Sequence, residues 1–103
     1  LVSYGENYIG KCGWSSLGAV VGATRPSEAV ELRGRMPNQI FLMPGIGAQG
    51  ATPEMVAPCF GQGHGALATA SRSVIYPAPN SDWQTDIAEA AKKLACELQV
   101  AAT

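Results

Sequence analysis

Apolar and polar positions along this chain fall into three rounds of one pattern: a short apolar run, a loop rich in glycine or proline, then a helical segment. Leu17-Gly-Ala-Val-Val-Gly-Ala23 is small and continuously apolar, which predicts a strand buried on both faces. Thr24-Arg-Pro-Ser27 supplies a helix start, with Ser27 as N-cap and Glu28 and Glu31 in the first turn, where the helix dipole favours acids. The predicted helix Glu28–Arg35 closes on basic Arg33 and Arg35 and breaks at Pro37. Residues 1–11 alternate weakly and read as the end of a preceding helix, closed by Gly10 or Gly13. The second round is a strand over Gln39–Met43, a glycine loop, and a short helix begun by Thr52-Pro53-Glu54, with Thr52 as N-cap and proline at the first helical position. Gly61-Gln-Gly-His-Gly65 ends it. The third strand covers about Ala66–Ala70, followed by Ser71–Tyr76 and a turn from Pro77 to Ser81. A last helix over about Asp82–Val100 places Ile87, Ala91, Leu94, Ala95 and Leu98 on one face.

Repeated strand–helix units imply an α/β fold with a parallel sheet and right-handed crossovers. The strands lie about 23 to 26 residues apart, near the roughly 30 per unit of a (β/α)₈ TIM barrel. In such barrels the phosphate site is frequently built by the loops after strands seven and eight. That rule fits the second and third units and makes this chain the supplier of strands six to eight. A length of 103 residues is below that of a whole barrel. Residues 1–103 are therefore expected to be the C-terminal part of one barrel domain, without an internal boundary.

The densest chemistry lies in Ile40-Phe-Leu-Met-Pro-Gly-Ile-Gly-Ala-Gln-Gly50, where an apolar strand stops at a proline and opens into glycines 45, 47 and 50 with one amide side chain, Gln49. Glycines permit positive φ and let backbone N–H groups approach an anion. At the next strand end stand Ser71-Arg72-Ser73, an arginine and two hydroxyls suited to a phosphate. Two neighbouring strand ends so equipped point to one shared site, against the bland reading of a tight turn and a surface arginine. Gly45-x-Gly47-x-x-Gly50 also matches the dinucleotide fingerprint, but an acidic residue is needed about 20 positions on and Ala66-Leu-Ala-Thr-Ala70 holds none. No G-x-x-x-x-G-K-[ST] run is present, which argues against a triphosphate P-loop.

Composition narrows the partners. Net charge −1 with 15% charged residues gives no electrostatic case for nucleic acid. No apolar run approaches the ~20 residues of a membrane span, and Leu1-Val-Ser3 lacks the pattern of a signal peptide. Cys12, Cys59 and Cys96 are odd in number and far apart, which reads as reduced thiols in the cytoplasm and no metal site. A start at leucine, in mid-pattern, reads as a processed or truncated piece of a longer chain. His64, between two glycines, reads as solvated; Trp14 and Trp83 as packing; Asp82 and Asp86 as helix-capping acids; Thr24 and Arg25 as either helix-start residues or the mouth of the site. No serine, cysteine or lysine has a positioned base beside it, so a catalytic set is absent.

Three stretches together resemble the C-terminal third of orotidine 5′-phosphate decarboxylases, most closely the longer bacterial subgroup: Ser15-Ser-Leu-Gly-Ala-Val-Val-Gly-Ala-Thr24, Phe41-Leu-Met-Pro-Gly-Ile-Gly-Ala-Gln-Gly50 and Ala70-Ser-Arg-Ser-Val-Ile-Tyr76. The resemblance implies a (β/α)₈ barrel converting orotidine 5′-monophosphate to UMP and CO₂, without metal or organic cofactor, as a cytoplasmic enzyme that commonly forms homodimers. It implies phosphate contacts from Gln49, Arg72, the Ser71 and Arg72 amides and the loop glycines Gly47 and Gly50, with Pro44 lining the pyrimidine side. It also implies an alternating Lys–Asp network that protonates C6, and no such motif occurs in residues 1–103; Lys11, Lys92 and Lys93 sit in helical contexts. Ala51 stands where the subgroup often has another glycine. The expectation is a decarboxylase fragment, or one chain of an assembly whose other piece supplies the chemistry. A non-catalytic phosphate-binding α/β module and a barrel enzyme for pentose phosphates are the competing readings.

Overall fold

The computed structural model describes residues 1–47, 49–60, 64–75 and 82–102. In chain order they form α1 (Val2–Gly5) with a 3₁₀ turn Glu6–Tyr8, β1 (Ser15–Val20), α2 (Pro26–Arg35), β2 (Gln39–Pro44), α3 (Pro53–Val56) with a 3₁₀ turn Ala57–Cys59, β3 (Ala66–Thr69), α4 (Arg72–Ile75) and α5 (Trp83–Ala102). The expected parallel sheet is present, in the order β1-β2-β3.

The central strand alternates cleanly: Gln39, Phe41 and Met43 are buried, while Ile40 and Leu42 point to the opposite, open face. Phe41 and Met43 pack with Val21, Ala23, Ala29, Ile46, Ala51, Val56 and Cys59, and Leu94 and Leu98 of α5 close over this core. All the core lies on the helix side of the sheet. The other face leaves Val20 71% and Leu67 60% exposed. Burial of the first strand on both faces is thus not observed among the described residues.

β1 also begins two residues earlier than its apolar run. Polar Ser15 is buried because its hydroxyl donates to the Gly5 carbonyl at 2.9 Å and accepts the Leu17 N–H at 3.1 Å. The register with β2 then slips, from Ser15 opposite Gln39 to Ala19 opposite Phe41. Gly18 lies within the slip, and any Cβ there would run into the Ile40 carbonyl. Glycine is required for that approach.

The helix starts follow proline more than serine. α2 begins with Pro26 at its first position and Arg25 as N-cap, without a side-chain cap bond, so Ser27 is inside the helix and does not cap it. Proline's fixed φ suits the first turn, where its missing N–H costs nothing. α2 stops at Arg35, as the disfavoured α conformation before Pro37 requires. The segment after β3 forms the short helix α4. On α5, Leu94, Leu98 and Ile87 are half-buried but Ala91 and Ala95 are exposed, so the buried stripe is narrower than the sequence face. Asp82 does cap this helix, accepting the Thr85 N–H at 3.4 Å. Tyr76, the turn Pro77 to Ser81 and residues 61–63 of the Gly61–Gly65 loop lie outside the described residues.

Candidate functional site

Parallel pairing brings three strand exits to one edge of the sheet. Pro44 lies opposite Thr69, and the Ala23 N–H donates to the Pro44 carbonyl at 2.9 Å. Thr24, Gly45 and the Ala70-Ser71-Arg72 segment therefore emerge side by side. A cavity of about 210 Å³ opens among them, lined by Pro44, Gly45, Ile46, Gln49, Thr69, Ala70, Ser71 and Arg72. Pockets that enclose a small-molecule ligand run to ~300–1,000 Å³. A volume of 210 Å³ suits one phosphate-sized group and leaves the rest of a nucleotide to be covered by other elements.

Pro44, Gln49, Ser71 and Arg72, singled out in sequence, meet in this cavity; Gly47 and Gly50 do not line it. The reason is visible in the loop. Gly45, Gly47 and Gly50 have φ of 112°, 82° and 91°, conformations that disfavour any side chain. The resulting coil ties itself together. The Gly47 N–H donates to the Ala51 carbonyl (3.0 Å), the Gly50 N–H to that of Gly47 (2.9 Å), and the Ala51 N–H to that of Gly45 (3.2 Å). The amides of Gly47 and Gly50, offered to an anion on sequence grounds, are thus used within the loop. These glycines shape the platform that presents Gln49.

Gln49 folds back over Gly45: its Oε1 lies 3.2 Å from where a Cβ on Gly45 would stand, and the Thr24 methyl lies 3.3 Å from the same point. Thr24 thus flanks the loop, whereas neighbouring Arg25 turns to an exposed ion pair with Glu28 at 3.3 Å. Both Gln49 and Arg72 are exposed, open to a ligand from solvent. A larger cavity of about 370 Å³ lies behind the loop, between Ile46, Gly47, Ser73 and α5. Its charged lining residues, Lys93 and Glu97, already face each other at 4.0 Å, so nothing there converges on a ligand.

The remaining candidates are elsewhere. His64 is exposed. Trp14 packs under Gly65, where it occupies the space of any Cβ. Lys11 sits in the turn before β1, not in a helix, and Lys92 and Lys93 are exposed on α5, with Lys93 at the larger cavity; no lysine lines the strand-exit cavity. Among the described residues no group of three His, Cys, Asp or Glu is placed to hold a metal, and no helix is long and apolar enough to cross a membrane. All three cysteines are free, with Cys59 buried.

One residue has a role with no signal in the sequence. The sequence pattern places Arg33 only at the basic end of α2. Its guanidinium instead lies at the opposite, strand-entry edge of the sheet, over the Phe41 ring at 3.8 Å, and donates to four backbone carbonyls. No local pattern marks this, because two of the carbonyls belong to Cys59 and Gly65.

No protein-family model matches the chain. Individual proteins do. The orotidine 5′-phosphate decarboxylase of Clostridium perfringens is 38% identical over 99 residues, 96% of this chain and 34% of its own length. That of Petrotoga mobilis is 41% identical over 96 residues, 92% of this chain and 33% of its own. Among solved structures, Leishmania donovani UMP synthase superposes with a TM-score of 0.72 at 32% identity, covering 97% of this chain and 22% of that one. The chain spans about a third of the length of these two bacterial relatives.

Proposed function

Because this chain is a relative of orotidine 5′-phosphate decarboxylases along nearly its whole length, we propose that it supplies the phosphate-binding part of such an enzyme, which converts orotidine 5′-monophosphate to UMP and CO₂. The observation that carries this reading is the single cavity that unites Pro44, Gln49, Ser71 and Arg72 at adjacent strand exits. Arg72 holds the phosphate by charge-assisted hydrogen bonds, Gln49 donates its amide from the facing loop, and the Ser71 and Arg72 amides lie beside them. Gly47 and Gly50 act by holding the loop's shape, and Pro44 faces the pyrimidine.

The phosphate takes no part in bond breaking. Its binding free energy is available for closing the loop and holding the substrate against the reacting groups. Loss of CO₂ leaves an electron pair at C6 of a ring with no electron sink, so preorganised charge must stabilise it. In this reading that charge comes from a Lys–Asp network outside residues 1–103. Strands six to eight of a (β/α)₈ barrel, within a single domain, are the matching assignment. It is supported by the open apolar face at Val20, Ile40, Leu42 and Leu67, and by outer strands β1 and β3, each of which has β2 as its one strand neighbour among the described residues apart from an Ile9–Ser15 bridge at the start of β1. An eight-stranded barrel would cover the first and pair the second. The homodimer implied by the resemblance belongs to the same reading.

The purified 103-residue chain is accordingly expected to release no CO₂ from orotidine 5′-monophosphate while still binding UMP. Release of ¹⁴CO₂ from carboxyl-labelled substrate by this polypeptide alone would overturn the assignment of the chemistry to residues outside it.

A further inference from the structure

We propose that Ser73 is a positioning residue of the phosphate grip, setting how closely the loop bearing Gln49 approaches the segment bearing Arg72. The inference rests on the phosphate-binding reading above and adds to it a contact on the far side of the grip. Gly47 is seated directly on Ser73: a Cβ at position 47 would stand 2.6 Å from Ser73 Oγ and 2.8 Å from Ser73 Cβ. Neither gap admits a carbon atom, so the loop backbone and the Ser73 side chain are in mutual contact now. Gly47 and Ser73 both line the cavity behind the loop, and neither lines the one holding Gln49 and Arg72. Ser73 therefore acts without touching the phosphate.

Both ends of this contact lie close in sequence to a residue of the phosphate grip. Ser73 follows Arg72 within the single turn of α4, which is closed by the Ile75 N–H on the Ser71 carbonyl at 2.7 Å. Gly47 precedes Gln49 by two residues in a loop bound to itself through the Gly50–Gly47 and Gly47–Ala51 hydrogen bonds. Through these bonds a push at Gly47 would shift the loop that carries Gln49. The volume of residue 73 sets the span between Gln49 and Arg72.

The test is a cycle of variants read by UMP and uridine titration calorimetry, alongside thermal unfolding. Gly47→Ala is expected to weaken UMP by about tenfold or more, part of it from the contact with position 73 and part from the positive φ at Gly47, which no change at 73 relieves. Ser73→Gly removes both clashing atoms, so the double variant should regain a good part of that loss. The recovery should appear for UMP and not for uridine, which is the signature of positioning at the phosphate; a double variant that binds UMP no better than Gly47→Ala overturns the proposal. Ser73→Ala and Ser73→Val read the same contact from α4 if Gly47→Ala does not fold. Alanine should leave UMP affinity nearly intact and valine should weaken it about tenfold, and equal affinities overturn the proposal. Wild-type protein that does not prefer UMP to uridine would overturn the phosphate reading itself, and this inference with it.

Discussion

Replacing Arg33 with alanine is expected to lower the unfolding free energy by about 2–3 kcal/mol, because four backbone carbonyls lose one half-buried cation at once. Its Nε donates to the Cys59 carbonyl at 2.8 Å, Nη1 to Met36 at 3.0 Å and Gln39 at 2.8 Å, and Nη2 to Gly65 at 2.8 Å. One planar group thereby joins the end of α2, the entry to β2, the turn after α3 and the entry to β3. The Phe41 ring beneath it at 3.8 Å adds a cation–π contact, worth up to about 2 kcal/mol when desolvated. Burial pulls the guanidinium pKa below its ordinary value, yet arginine starts so high that it stays charged. Burial also raises the Cys59 thiol, which the nearby Arg33 offsets only in part, so this cysteine stays a neutral core residue. Lysine should recover little of the loss, since a point charge cannot reproduce the fork. Urea unfolding measures this, with a lower midpoint at unchanged slope. A loss under about 1 kcal/mol would show that the four bonds merely replace bonds to water.

Arg72→Ala has the opposite profile: little change in stability and a large loss of phosphate affinity. Arg72 is exposed and α4 is a single turn, so its removal disturbs no core packing. A charge-assisted bond contributes about 1.5–3 kcal/mol, so UMP should bind roughly ten- to a hundredfold more weakly. Uridine affinity should not change. Calorimetry at two salt concentrations reads the difference, because a surface ion contact weakens with ionic strength. Equal loss for UMP and uridine would mean that Arg72 does not hold the phosphate. These two outcomes together would assign stability to the strand-entry edge of the sheet and binding to its strand-exit edge.

Much of the strand-exit edge was legible in sequence because it depends on local rules. Pro44 ends an alternating strand, three glycines demand a loop of positive φ, and Ser71-Arg72 follow the next apolar run. Once strands are parallel neighbours, these residues must meet at one edge. Local rules failed where a distant partner decides. Ser15 lies outside the apolar run Leu17–Ala23, yet an accepting carbonyl at Gly5 lets it begin β1 as a buried residue. Arg33 looked like an ordinary basic helix end, because carbonyls 26 and 32 residues further on are invisible to any local pattern. The Gly47 and Gly50 amides failed differently. Sequence shows that a glycine loop has N–H groups to donate, but only the fold shows that they are already given to Ala51 and Gly47.

The most direct measurement is a side-by-side titration of this chain with UMP and uridine, which differ only in the phosphate. A grip formed by Gln49 and Arg72 predicts that UMP binds at least about tenfold more tightly, a preference that Arg72→Ala removes. Equal affinity for the two, or a preference that survives Arg72→Ala, would contradict a phosphate site at this edge of the sheet.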